Sequence, residues 1–295
     1  MKILVTGKNG QVGFELQRAL APIGEVVAVD HAACDLADAG AIRALVRRIA
    51  PDVIVNPAAY TAVDKAETER DLAFAVNARA PGVLGEEAAR LGALVVHYST
   101  DYVFDGKQAT PYSETDRPDP QSVYGSSKYA GERALAEANS HHLILRTSWV
   151  LGAHGGNFAK TMLRLAAERE RLTVVADQFG APTSAALLAD LTAQLIRQYQ
   201  REGVGRFPFG TYHVTGSGET TWHEYARFVL AEALAAGKTL KVSPEAVAPL
   251  ATADYPTPAK RPANSRLDTR HFCQTFGLRL PPWQESVRHV LQQIF

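Results

Sequence analysis

The chain has 295 residues, 46% hydrophobic and 21% charged, which suits a globular protein of about two domains or one large α/β domain with an annex. Lys plus Arg and Asp plus Glu each number 31, so the formal net charge is zero and nothing argues for a nucleic-acid or anionic-membrane partner. Two cysteines, Cys34 and Cys273, cannot build a disulfide framework or a CxxC metal pattern, and no apolar run approaches the ~20 residues of a membrane span, so a cytoplasmic protein is expected.

In chain order, Ile3-Leu4-Val5 reads as a short buried strand, and helical spacing follows through Val12, Leu16 and Leu20. Between them lies Gly7-Lys8-Asn9-Gly10-Gln11-Val12-Gly13, a GxxGxxG turn. Glycines there permit a tight strand–helix connection and let backbone N–H groups approach a pyrophosphate at the helix N-terminus. Glu25 to Asp30 reads as the second strand, and Asp30 stands where a carboxylate can accept from a ribose 2′-hydroxyl and repel a 2′-phosphate. NADH is therefore expected over NADPH, with Lys8 in the glycine turn softening the preference.

A helix is expected over Ala41 to Ile49, a third strand over Asp52 to Asn56, and small residues Pro57 to Thr61 beyond it at the sheet edge where ligands bind. Leu72 to Leu91 is mostly helical in pattern, and Ala93 to Phe104 reads as a fourth strand running into a loop. Residues 105 to 123 are polar and proline-rich, a long loop beside the sheet. Tyr124-Gly125-Ser126-Ser127-Lys128 then sets Tyr124 and Lys128 on one helix face. A tyrosine titrates near ~10, and an ammonium beside it is expected to lower that value and let Tyr124 exchange a proton with a carbonyl oxygen. Thr100 is placed to hydrogen-bond the same oxygen. His142 to Leu151 holds another strand. The regular alternation weakens after about residue 155, Thr221 to Glu224 is a capping box, residues 244 to 266 look irregular, and a last helix follows Pro281-Pro282. Repeated β-α-β units with uninterrupted apolar strands imply an α/β fold, a Rossmann-type doubly wound parallel sheet. Residues 1–150 are expected to form the dinucleotide-binding domain and 151–295 mainly a smaller C-terminal substrate-binding domain, some later segments returning to the main sheet.

The segments TGxxGxxG, STDYVFDG and YGxSKxxGE (Tyr124 to Glu132) resemble the extended short-chain dehydrogenase/reductase superfamily. More closely, GQVGFELQRAL, NPAAYTAVDKAE, HYSTDYVFDG, RTSWVLG, NFAKTMLRLA, DQFGAPT and RPANSRLDT resemble dTDP-4-dehydrorhamnose reductases, from residue 2 to the last helix. That resemblance implies NAD(P)H-dependent reduction of the 4-keto group of dTDP-4-dehydro-L-rhamnose, a step toward cell-surface polysaccharide such as lipopolysaccharide. It implies Thr100, Tyr124 and Lys128 as the catalytic group, with Tyr124 the proton donor. Gly10, Gln11, Val12, Asp30, Asp35, Leu36, Ala59, Tyr60, Thr61, Tyr98 and Lys128 match the family's dinucleotide contacts. Thr100, Asp101 and Trp149 match its contacts to the dTDP-sugar, and Arg261 and Asn264 are offered for the substrate diphosphate, since arginine forks fit phosphate oxygens.

Three alternatives stand beside this reading. A nucleotide-sugar 4-epimerase shares the Tyr–Lys pair. A dehydratase needs an Asp-Glu pair after the threonine, and here Asp101-Tyr102 follows Thr100. A regulatory subunit of the methionine adenosyltransferase type resembles the reductase without turnover. Some family members dimerise around Mg²⁺ held by glutamates. Glu15 is retained, but Ala185-Ala186-Leu187 and Gln292-Gln293 replace the others, so a homodimer here is expected to hold no metal.

Overall fold

A computed structural model describes residues 1–295. Strand β1 (Lys2–Val5) leads through the glycine turn into α1 (Gln11–Leu20), followed by β2 (Glu25–Ala28), α2 (Ala39–Ile49) and β3 (Val53–Asn56). Short turns at Val63–Ala66 and Arg70–Phe74 and one π-helical turn at Ala75–Arg79 precede α3 (Ala80–Leu91). Then come β4 (Leu94–Thr100), α4 (Val123–Ala138) and β5 (His142–Thr147). The later part contains α5 (Phe158–Glu168), β6 (Leu172–Val175), α6 (Ala185–Glu202), β7 (Gly210–His213), α7 (Trp222–Ala235), β8 (Val247–Leu250), α8 (Arg270–Phe276) and α9 (Trp283–Ile294). No helix is long and apolar enough to cross a membrane.

Six strands form one parallel sheet in the order β7-β5-β4-β3-β1-β2. Side chains alternate across a strand, and the two sheet faces read directly from that period. Ile3, Val5, Val53, Val55, Val96 and Leu145 point to one face, under α1, α6 and α8. Leu4, Ile54, Val95 and Ile144 point to the other, under α2, α3 and α4. Because both faces are covered, the central strands are apolar on both sides through their middle, as in Ile3-Leu4-Val5, Val53-Ile54-Val55, Leu94-Val95-Val96 and Leu143-Ile144-Leu145. From β1 the chain moves outward to β2 and then crosses back to β3 on the other side of β1. That reversal opens a crevice at the carboxyl ends of β1 and β3, where ligands bind in such sheets.

The sheet is not complete at residue 150. Strand β7 forms its far edge, and α6 and α8 supply Leu188, Leu191, Leu195, Phe272 and Phe276 to the core beneath it. These are the returning segments, and they are long: the boundary at 150 divides one core. A second, smaller core lies apart from the sheet, where α5, α7 and α9 pack against each other and against the parallel pair β6 and β8.

Candidate active site

The glycine turn is shaped by close approach. Gly7 has φ +60°, and a Cβ there would lie 2.9 Å from the Ala58 Cβ in the loop after β3. A Cβ on Gly13 would come within 2.1 Å of the Gly7 carbonyl oxygen. The N-terminus of α1 has Gly10 at its cap and no side chain capping it, which leaves the positive end of the helix dipole uncapped by any side chain. Gln11 also ties this end to the rest of the molecule, donating to the Val150 carbonyl at 3.3 Å and accepting from Asn157 at 3.0 Å. Beside the turn is a cavity of about 260 Å³ lined by Gly7, Asp30, Asp35, Leu36, Ala59 and Tyr60 among others. Residues far apart in sequence thus meet in one hollow. Thr61 is exposed just beyond it.

Asp30 does not stand alone. Its carboxylate accepts from the Ala33 N–H at 3.1 Å and from Asn9 at 3.2 Å, and Lys8 pairs with it at 3.2 Å. These contacts, the Ala33 bond first, hold it below the usual carboxylate range.

At the carboxyl end of β4, Thr100 caps a 3₁₀ turn, its hydroxyl accepting from the Tyr102 N–H at 3.2 Å and donating to Asp101 at 3.1 Å. Asp101 is buried; burial pushes its pKa up to about 6, with the Ser265 and Thr100 hydroxyls pulling the other way. Tyr124 is the second residue of α4 after the Ser122 cap, its ring edge-on to Tyr102 at 5.5 Å. Burial raises the Tyr124 hydroxyl well above the ordinary tyrosine value, with the Thr100 hydroxyl pulling the other way. This corrects the expectation that Lys128 lowers it. Lys128 is itself buried, and its ammonium turns to the sheet instead, donating to the Tyr98 carbonyl at 2.6 Å and lying 3.3 Å from His97 Nε2. Tyr124 therefore stands fully protonated at neutral pH, as a proton donor must.

The Tyr98 side chain is buried in the sheet core, its hydroxyl 2.6 Å from that of Thr192, while its carbonyl faces Lys128. One further expectation needs correction: Asn264 is buried. Its amide donates to the carbonyls of Gln108 and Thr110 and its oxygen accepts from Arg266, which locks the long loop after β4 and leaves nothing for a ligand. Arg261 lines a second, larger cavity, paired with Asp64 at 2.6 Å. That cavity holds about 760 Å³ and runs from Tyr102 along α5 to β6, with Phe158, Trp222, Tyr255, Arg169 and Arg171 on its walls. Trp149 follows β5 in the left-handed region, φ 48°, and stacks on Trp222 at 3.7 Å. Trp222, rather than Trp149, presents its indole to the cavity.

Sequence reasoning missed Asn77. It sits on the π-helical turn, accepts from the Tyr60 N–H at 2.8 Å, and donates to the Tyr60 carbonyl and to the Ser127 hydroxyl, both at 3.0 Å. It thereby joins the loop after β3 to α4. A single asparagine in a helical run gives no signal of this. Trp222 was visible only as part of a capping box, and the Thr221 hydroxyl does cap α7 by accepting from the Glu224 N–H at 3.1 Å.

The model for the RmlD substrate binding domain matches residues 1–295. A dTDP-4-dehydrorhamnose reductase of Shigella flexneri is 52% identical over 299 residues, covering 100% of this chain and 98% of the relative. One from Burkholderia thailandensis is 48% identical over 97% of each chain. Among solved structures, a dTDP-4-dehydrorhamnose reductase of Clostridium acetobutylicum superposes with a TM-score of 0.91 at 37% identity over 99% of both chains. One from Bacillus anthracis, in complex with NADP, gives 0.90 at 36% over 99% of both. A UDP-glucose 4-epimerase of Thermus thermophilus, at 22% identity and a TM-score of 0.78 over 100% of this chain and 99% of that one, shares the fold alone. With a glycine-turn crevice, a Tyr–Lys helix and matches along its whole length, this chain belongs to the dTDP-4-dehydrorhamnose reductase family.

Proposed function

We propose that this protein reduces the 4-keto group of dTDP-4-dehydro-L-rhamnose with NAD(P)H, giving dTDP-L-rhamnose for cell-surface polysaccharide. The observation that carries the reading is Tyr124, half-buried and protonated beside Thr100, its ring against Tyr102, which lines a cavity large enough for a nucleotide-sugar. The crevice fits the dinucleotide: the cradle at Gly7 and Gly13 leaves no room for a side chain, and the α1 N–H groups are open. Gly10, Gln11 and Val12 would take the pyrophosphate, and Asp30, Asp35, Leu36, Ala59 and Tyr60 the adenosine half. The bound nicotinamide supplies the hydride.

The protein's own part is acid catalysis and positioning. Tyr124 donates to the ketone oxygen, and the Thr100 hydroxyl joins it by turning its proton from Asp101 to that oxygen, which polarises the carbonyl for attack. Tyr124 then transfers its hydroxyl proton to that oxygen. Lys128, one helical turn on, is held behind Tyr124 by the Tyr98 carbonyl. Phe158 and Trp222, the latter backed by Trp149, form an apolar wall that shields the sugar from water, and Arg169, Arg171 and Arg261 are the cations available to the diphosphate. Tyr102 occupies the place where a dehydratase carries its glutamate, so elimination lacks a catalyst.

The test is a turnover assay with purified protein, the dTDP-sugar and NADPH or NADH, beside the UDP analogue. One dinucleotide is consumed per product formed. Tyr124→Phe lowers kcat by ~10²–10⁴-fold and leaves dinucleotide affinity unchanged. Tightly held NAD⁺ with sugar turnover and no added reductant would move the protein to the epimerase or dehydratase class.

A further inference from the structure

Behind Lys128 lies a buried polar chain that the reaction does not use directly. It crosses the carboxyl ends of three adjacent strands: Thr6 just past β1, Asn56 ending β3, and His97 on β4. All three are buried. The Thr6 hydroxyl oxygen lies 2.6 Å from Asn56 Oδ1, a length proper to O–H···O and short for N–H···O. It also accepts, weakly, from the Ala58 N–H at 3.4 Å, so its one proton goes to Asn56. The asparagine amide must then turn its Nδ2 to His97 Nδ1, 3.0 Å away. Full burial and the neighbouring Lys128 keep this imidazole neutral. A neutral ring that accepts at Nδ1 carries its hydrogen on Nε2, and Nε2 faces Lys128 Nζ at 3.3 Å.

We propose that Thr6, Asn56 and His97 are positioning residues which direct an imidazole N–H onto the Lys128 nitrogen and so set the pH at which that lysine loses its proton. An ammonium presents only donors and meets this N–H head-on, whereas an amine has a lone pair for it. The other groups facing Lys128 are few. The Tyr98 carbonyl on β4 accepts from it at 2.6 Å. On its own helix, Tyr124 is neutral, and Glu132 favours the ammonium but is engaged by Arg146 at 2.9 and 2.6 Å. Burial acts in the same direction as the chain, and Lys128 is held down to about 8. Its ammonium is therefore present below about pH 8 and lost above it. The alkaline limb of kcat belongs to this residue.

The proposal rests on the reductase reading only for the meaning of kcat, so the first measurement needs no turnover. Imidazole ¹⁵N shifts of the whole protein report which ring nitrogen carries hydrogen. His97 is expected with Nε2 protonated and Nδ1 bare across neutral and alkaline pH. Asn56→Asp, of nearly the same shape, offers two acceptors and reverses the tautomer. With a bare Nε2 facing Lys128, the alkaline limb of kcat moves up by about one pH unit. His97→Gln, which can turn its carbonyl to the lysine, moves it the same way, with the sugar KM little changed. A wild-type ring protonated at Nδ1 overturns the proposal, and so does an alkaline limb that stays put in both variants while each folds. A wild type that lacks ketone reduction but shows the expected tautomer would refute the reductase reading alone.

Discussion

At the scale of single residues, pairing changes what a side chain does. Asp30 alone argues for NADH, but Lys8 lies against it at 3.2 Å and both are partly exposed, so the pair can open and present an ammonium to a 2′-phosphate. Lys8→Ala is expected to reduce kcat/KM for NADPH by about tenfold and leave NADH nearly unchanged; equal losses with both dinucleotides would show that the pair has no part in selection. Asp101 carries a different kind of cost. Its carboxyl is raised to about 6 by burial, so ionising it in the folded state works against stability, a penalty that grows from about pH 4 to pH 6 and is constant above. Asp101→Asn should therefore stabilise the protein by about 2 kcal/mol near pH 8 and by almost nothing near pH 4, while slowing turnover. Denaturant titration at the two pH values checks the sign, and a variant less stable at pH 8 would show that the carboxylate is compensated. The Tyr–Lys spacing and Thr100 were readable in the sequence because they follow from helix and strand periods. The orientation of Lys128 was not. It depends on a carbonyl of β4 and a histidine whose burial no local pattern reveals.

Secondary elements transmit these positions. Helix α4 carries Tyr124 and Lys128 and leans on the π-helical turn at Ala75–Arg79. The contact is backbone to backbone: a Cβ at Gly131 would lie 1.9 Å from the Asn77 carbonyl oxygen. Gly131→Ala must push α4 away from that turn. It is expected to destabilise by about 1–3 kcal/mol and to lower kcat far more than the population of folded protein falls. Thermal unfolding and kinetics on the same sample separate the two effects, and full activity per folded molecule would mean that the site tolerates the shift. Strands β1, β3 and β4 were legible from unbroken apolar runs, although β4 ends at Thr100, earlier than the run to Phe104 suggested, because Thr100 caps the turn that follows. Within Leu72 to Leu91 the helical period was correct, but the π turn was invisible. Asn77 holds it by bonds to Tyr60 and Ser127, residues distant in sequence. Strand β7 is only Gly-Thr-Tyr-His and gives almost no periodic signal; its partner β5 defines it.

For the molecule as a whole, the fold class followed from β-α alternation, while the extent of the chain beyond residue 150 that returns to the main sheet was not legible, because the regular alternation weakens there and the packing does not. The large core under the sheet takes Leu188, Leu195, Phe207, Tyr212 and Phe272 from the second half of the chain. The late arrival of β7, α6 and α8 constrains the order in which the protein can be made. While a ribosome has released only the first 150 residues, one side of the nascent sheet has α1 but neither α6 nor α8, and Val55, Val96 and Leu145 face water. β5 is then an open edge awaiting β7, a template for strand pairing with a neighbouring chain. A fragment ending at residue 150 is accordingly expected to aggregate and to bind no NADPH, although it contains the glycine turn, Asp30 and Tyr124. Adding residues 151–295 as a separate chain should recover a soluble complex that binds the dinucleotide. A soluble, NADPH-binding fragment 1–150 would mean that the sheet can mature while synthesis continues and needs no help to hide its unfinished side.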